Sequence, residues 1–122
     1  MRTAHSRFSS LASAQELIAA GAARHGRGQF ADACELYRQA IAKEPRSAEA
    51  HFNLGAALQA MGREKDAEAA YDQSLALRPD FAEAHYNLGT IAEGRGDYPA
   101  ALTRFERAPG AATALDVLKQ AV

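Results

Sequence analysis

The chain has 122 residues, 48% apolar and 24% charged, with a formal net charge of −1. That length fits one domain or a short stack of repeats, and so balanced a charge argues against nucleic acid or an anionic membrane surface as a partner. Cys34 is the only cysteine, which excludes an intramolecular disulfide. No apolar run approaches membrane-spanning length, and the opening stretch MRTAHSRFSSLAS lacks the apolar segment of a secretory signal. A cytoplasmic protein is the resulting expectation. The charge is uneven. Arg2, Arg7, Arg24 and Arg27 face only Glu16 in residues 1–30, whereas Glu49, Glu64, Asp66, Glu68, Asp72 and Asp80 outnumber Arg63, Lys65 and Arg78 in 48–81. Solvated helix faces explain this most simply; orientation of a partner or a second copy is the alternative.

In chain order, residues 1–12 read as a flexible leader, ahead of a helical domain over 13–122. A first helix begins near Gln15, with Ser13 as cap and Glu16 at capping-box spacing. Gly28 ends it, a second helix follows over 31–44, and Pro45 stops that one. Ser47 caps a third helix starting near Glu49; Gly62 ends it, and the next runs 65–77 before Pro79. Asp80, spaced like a capping box with Glu83, caps a helix starting near Glu83 that ends at Gly96. A segment over 99–108 then breaks early at Pro109-Gly110. The closing AATALDVLKQAV aligns Leu115, Leu118 and Val122 on one stripe, with Thr113 as its cap, and reads as a helix over 112–121 covering the last apolar face.

These elements repeat. AEAHFNLG at 48–55 returns 34 residues later as AEAHYNLG at 82–89, and the same step backwards finds a weaker copy from Ala14. The units are 14–47, 48–81 and 82–110. Gly21, Gly55 and Gly89 share one register position, as do Gly28, Gly62 and Gly96. So do Ala33, Ala67 and Ala101, and Tyr37, Tyr71 and Phe105, and Ala40, Ser74 and Ala108. Small residues at fixed points let paired helices approach closely, and a single pair cannot bury its apolar face, so neighbouring units must stack.

The unit length, Asn53-Leu54-Gly55 with Asn87-Leu88-Gly89, the Ala-x3-Tyr/Phe of Ala67–Tyr71 and Ala101–Phe105, and the late Pro45 and Pro79 resemble the tetratricopeptide repeat (TPR). The resemblance covers 14–108. It implies an all-α fold: a right-handed superhelical stack of three helix-turn-helix repeats plus a C-terminal capping helix. Departures from the family pattern are His51 and His85 in place of the frequent tryptophan, Ala20 in place of leucine, and Arg24 at a usually apolar site. The first repeat is therefore expected to pack least tightly.

The resemblance also implies a function: a protein-interaction module of adaptor or scaffold type that is not itself an enzyme. Its partner is a protein or peptide held in a concave groove lined by the first helix of each repeat. The groove positions are Gln15, Ile18, Ala19 and Ala22; then Glu49, Phe52, Asn53, Ala56 and Gln59; then Glu83, Tyr86, Asn87, Thr90 and Glu93. Asn53 and Asn87 can donate to and accept from peptide backbone at once; the other reading is that they bond between helices. Phe52 and Tyr86 either supply groove contact area or pack on the neighbouring helix. The glutamates favour a basic or neutral ligand over an acidic one, if they are more than solvated. A TPR subtype that binds chaperone C-termini uses a lysine-arginine clamp, and only Asn53 matches it; Ile18, Ala22, Glu83 and Asn87 stand at the other clamp positions. The alternative functions are the non-catalytic part of a larger enzyme, such as a glycosyltransferase, for which the early break at Pro109 speaks, and a self-associating scaffold.

No constellation for catalysis, cofactor or metal appears in the sequence. The glycines are repeat glycines. His51 and His85 sit about 10 Å apart on adjacent repeats, by the usual interhelical distance, too far to share a metal whose bonds are about 2 Å. They are expected to be packing residues with a hydrogen-bonded ring nitrogen. Ser9, Ser10 and Ser13 lack a spaced base, and Cys34 reads as a small helix residue.

Overall fold

Ser13 starts the first helix in the expected way. Its Oγ accepts from the Glu16 N–H at 3.1 Å, and the Glu16 carboxylate accepts from the Ser13 N–H at 3.1 Å. Helix α1 (Ala14–Gly26) follows, then α2 (Phe30–Lys43), α3 (Ala48–Ala60), α4 (Glu64–Leu77), α5 (Ala82–Gly94) and α6 (Tyr98–Glu106). A 3₁₀ turn over Pro109–Ala111 leads into α7 (Ala112–Ala121). The computed structural model describes residues 12–121. The chain divides into two compact units between Leu77 and Arg78, one holding α1–α4 and the other α5–α7. Most of the leader, the Val122 of the closing stripe and the Thr113 side chain lie outside what is described; Ala12 is described, and it is buried.

Three linked devices build each helical hairpin. The first is the turn. Gly28, Gly62 and Gly96 have φ of 76°, 77° and 78°, the left-handed conformation in which a side chain costs energy. The second is a close approach at the hairpin's centre. A Cβ on Gly21 would lie 2.5 Å from Tyr37 Cε1, one on Gly55 2.8 Å from Tyr71, and one on Gly89 2.5 Å from Phe105. Only glycine lets these rings lie flat against the facing helix backbone, and Tyr37, Tyr71 and Phe105 are the largest fully buried side chains of their hairpins. The third is the alanine at the shared register, Ala33, Ala67 and Ala101, each fully buried.

Within the first unit, α1 packs on α2, α3 on α4, and α2 on α3. Within the second, α5 packs on α6, and α7 covers α6. Leu118 joins Ala101, Phe105 and Ala108 in one buried cluster, with Ala92, Leu102, Ala114 and Leu115 against it.

The boundaries differ from the sequence reading in informative ways. The second helices start one residue early, at Phe30, Glu64 and Tyr98. Helix α6 ends at Glu106, not 108, because Pro109 disfavours helical backbone just before it. Asp80 does not cap α5. The N-cap is Phe81, which makes no side-chain cap bond; it is buried instead, with the Arg78 guanidinium 4.3 Å from its ring centroid. An apolar anchor occupies the place where a polar cap was expected. Ser47 does cap α3, its Oγ accepting from Ala50 N–H at 3.1 Å.

Candidate functional site

The first helix of each repeat has two stripes with different duties. On α3, Gly55, Ala57 and Leu58 are buried against the stack. His51 fills the tryptophan position by donating from Nε2 to the Pro45 carbonyl at 3.0 Å. His85 does the same on α5, donating to the Pro79 carbonyl at 2.9 Å. A carbonyl only accepts, so in both rings Nε2 carries the proton. Each histidine thus ties its helix to the proline that ended the preceding one, a polar link where the family uses aromatic contact. His85 is 3% exposed, and its buried Nδ1 has no hydrogen-bond partner among the described residues. Among the described residues no group of three His, Cys, Asp or Glu is placed to hold a metal.

The other stripe carries the predicted groove residues, and the structure divides them. In the first unit Glu49 is exposed, while Phe52, Asn53 and Ala56 are half-buried. The Phe52 ring rests on Tyr71, centroids 5.6 Å apart and planes at 44°. Asn53 makes no side-chain hydrogen bond among the described residues. Gln59 is committed to the fold, since its Oε1 accepts the Tyr71 hydroxyl at 2.6 Å. Ile18, 4% exposed, is core rather than groove lining, whereas Gln15, Ala19 and Ala22 are exposed. In the second unit Glu83 and Glu93 are exposed and Asn87 is half-buried. Tyr86 is 40% exposed and rests on Phe105, centroids 5.6 Å apart and planes at 50°. Thr90 spends its hydroxyl on the Asn87 backbone carbonyl at 2.8 Å.

What recurs in each unit is a triad at i, i+3 and i+4: Glu49, Phe52 and Asn53 on α3, Glu83, Tyr86 and Asn87 on α5. Helical geometry puts such residues on one face. Neither carboxylate forms an ion pair among the described residues. The Glu49 charge is felt inside the fold: Tyr37 is pushed above the usual tyrosine range by burial first, then by Cys34 and Glu49. Cys34, 1% exposed, is likewise raised by burial. It is the small, buried helix residue expected from the sequence.

A second feature of the first unit, unmarked in the sequence, is a cleft of about 330 Å³ on the histidine stripe lined by residues that include Arg38, His51, Leu54, Leu58 and Gln73. Its rim holds the Arg63–Asp66 ion pair at 2.7 Å. Leu58 is buried and Leu54 half-buried; the two have the spacing of packing residues, so nothing in the sequence marked Leu54 as partly open.

Two family profiles match this arrangement of hairpins. One, described as TPR repeat, covers residues 21–62; the other, described as tetratricopeptide repeat, covers 46–114. The chain belongs to the tetratricopeptide repeat family. Solved TPR structures share its fold. MamA is 28% identical with a TM-score of 0.76 over 80% of this chain, which spans 57% of the MamA chain. The first TPR of Spaghetti (RPAP3), solved with the HSP90 peptide SRMEEVD, is 19% identical with a TM-score of 0.83, covering 89% of this chain and 92% of that one. SycD of Yersinia enterocolitica, solved with a peptide of the translocator YopD, is 15% identical with a TM-score of 0.79, covering 88% and 89%. No curated protein matches the chain. Among the described residues, no helix of this TPR chain is long and apolar enough to cross a membrane.

Proposed function

We propose that this TPR chain is a protein-interaction module that holds an extended peptide segment of a partner, acting as an adaptor or scaffold. The observation that carries the reading is the recurrence of a half-buried asparagine beside a ring seated on the core, Asn53 with Phe52 and Asn87 with Tyr86. An asparagine side chain donates and accepts at once, matching the alternating N–H and C=O groups of extended backbone. A ring held from behind supplies contact area with little entropy left to lose. Two proteins of the same fold were solved with peptides, which agrees with this use of the scaffold.

The test starts from a partner captured from the native cell. Asn53→Ala with Asn87→Ala is expected to abolish its capture while leaving the helical circular dichroism unchanged. Undiminished capture by the double variant would show that these faces are not where the partner binds.

A further inference from the structure

The two triads share more than the asparagine, and their chemistry names a ligand class. Glu49 and Glu83 stand one helical turn before Phe52 and Tyr86. Residues at that spacing have Cβ atoms about 5–6 Å apart. A cation lying over an aromatic face within about 6 Å of its centroid is attracted by the ring quadrupole, and a carboxylate beside the ring holds the same cation from the side. Tyr71 and Phe105 pack behind the two rings at 5.6 Å, so the faces are oriented before any ligand arrives. Both carboxylates are exposed and without an ion pair among the described residues. Neither stripe carries a lysine or arginine from Glu49 to Gln59 or from Glu83 to Glu93.

From this juxtaposition we infer that each triad is a subsite for an arginine side chain of the bound peptide, with the carboxylate pairing the guanidinium and the ring stacking beneath it. The inference rests on the peptide-binding reading above and adds the chemistry of the partner: a basic, arginine-containing segment. Arginine fits better than lysine because a planar guanidinium stacks on a ring while its N–H groups reach a carboxylate. An acidic peptide is disfavoured, because its carboxylates would approach Glu49, Glu83 and Glu93 with no cation on either stripe to receive them.

The experiment titrates the protein with three synthetic octapeptides, alternating alanine with arginine, with glutamate, or with citrulline, the uncharged isostere of arginine. Affinity is read by fluorescence anisotropy and location by amide chemical shifts. The arginine peptide is expected to bind, to weaken with added salt, and to shift resonances of residues 49–53 and 83–87. Glu49→Gln or Glu83→Gln should each weaken it about three- to tenfold, the span expected for an exposed ion pair with a stacked cation. Glu106→Gln on α6, outside the triads, should leave affinity unchanged. Equal binding of the citrulline peptide at the same residues would overturn the arginine assignment and leave the peptide-binding reading standing. Failure of all three peptides to shift these residues, or equal weakening by Glu106→Gln, would overturn the assignment as well. The failure of all three would also count against the peptide-binding reading.

Discussion

Replacing Gly55 with alanine tests one of the three close glycine–ring approaches in the fold. In an exposed helix, glycine to alanine stabilises by about 1 kcal/mol through propensity. At Gly55 the added Cβ would lie 2.8 Å from both Cδ1 and Cε1 of Tyr71, against about 3.5–4.0 Å for carbons at optimal separation. The ring must retreat by most of an ångström. It is fully buried, its hydroxyl is held by Gln59 at 2.6 Å, and Phe52 packs against its face. Overpacking of this kind costs about 1–3 kcal/mol, and losing the Gln59 hydrogen bond adds about 1 kcal/mol. Set against the propensity gain, Gly55→Ala should destabilise by about 1–3 kcal/mol. Urea unfolding followed by circular dichroism measures it. Gly94→Ala is the control, since nothing lies within 4 Å of its added Cβ, and it should be neutral or stabilising by up to about 1 kcal/mol. Shrinking the ring, Tyr71→Ala with Gly55→Ala, should show a favourable coupling of about 1 kcal/mol or more. A Gly55→Ala variant as stable as the parent would refute the close approach, and with it the reason this register position holds glycine in all three repeats.

Two further outcomes follow from the titrating groups. Glu16 is held below its ordinary carboxylate range, chiefly by accepting the Ser13 backbone N–H and then by the Ser13 side chain. A lowered folded value means a contribution that is full above the unfolded carboxylate range and lost as pH falls through the folded value. Helix α1 should therefore loosen on acidification, visible as faster amide exchange in its first turn. Glu16→Gln keeps a capping-box partner and should flatten this dependence; an unchanged acid profile would rule out the carboxylate as its source. Cys34, buried with its thiol pushed upward by desolvation, should react with a disulfide reagent at mildly alkaline pH only as fast as the fold opens. Complete labelling within mixing time would contradict its burial.

Much of the fold was legible because TPR packing repeats its geometric demands every 34 residues. A left-handed turn needs Gly28, Gly62 and Gly96, and a ring pressed on backbone needs Gly21, Gly55 and Gly89; no other side chain meets either demand, so both leave a mark on the sequence. The candidate faces were legible only in part. Their helix positions follow from the repeat register, but position does not say where a side chain spends its hydrogen bonds. Gln59 and Thr90 looked like ligand-facing polar residues, yet Gln59 holds Tyr71 and Thr90 bonds its own helix. Ile18 looked available and is core.

The sequence by itself determined the repeat length, the hairpin turns, the all-helical class and the register of the Glu-aromatic-Asn triads, because these depend on residues close in the chain or at a fixed spacing. Only the tertiary structure decided that Phe81 rather than Asp80 is the N-cap of α5, that His51 and His85 bond to proline carbonyls, and that Phe52 and Tyr86 are backed by Tyr71 and Phe105. Those outcomes turn on competition for burial and for hydrogen-bond partners between elements, and such competition is settled only when the helices pack.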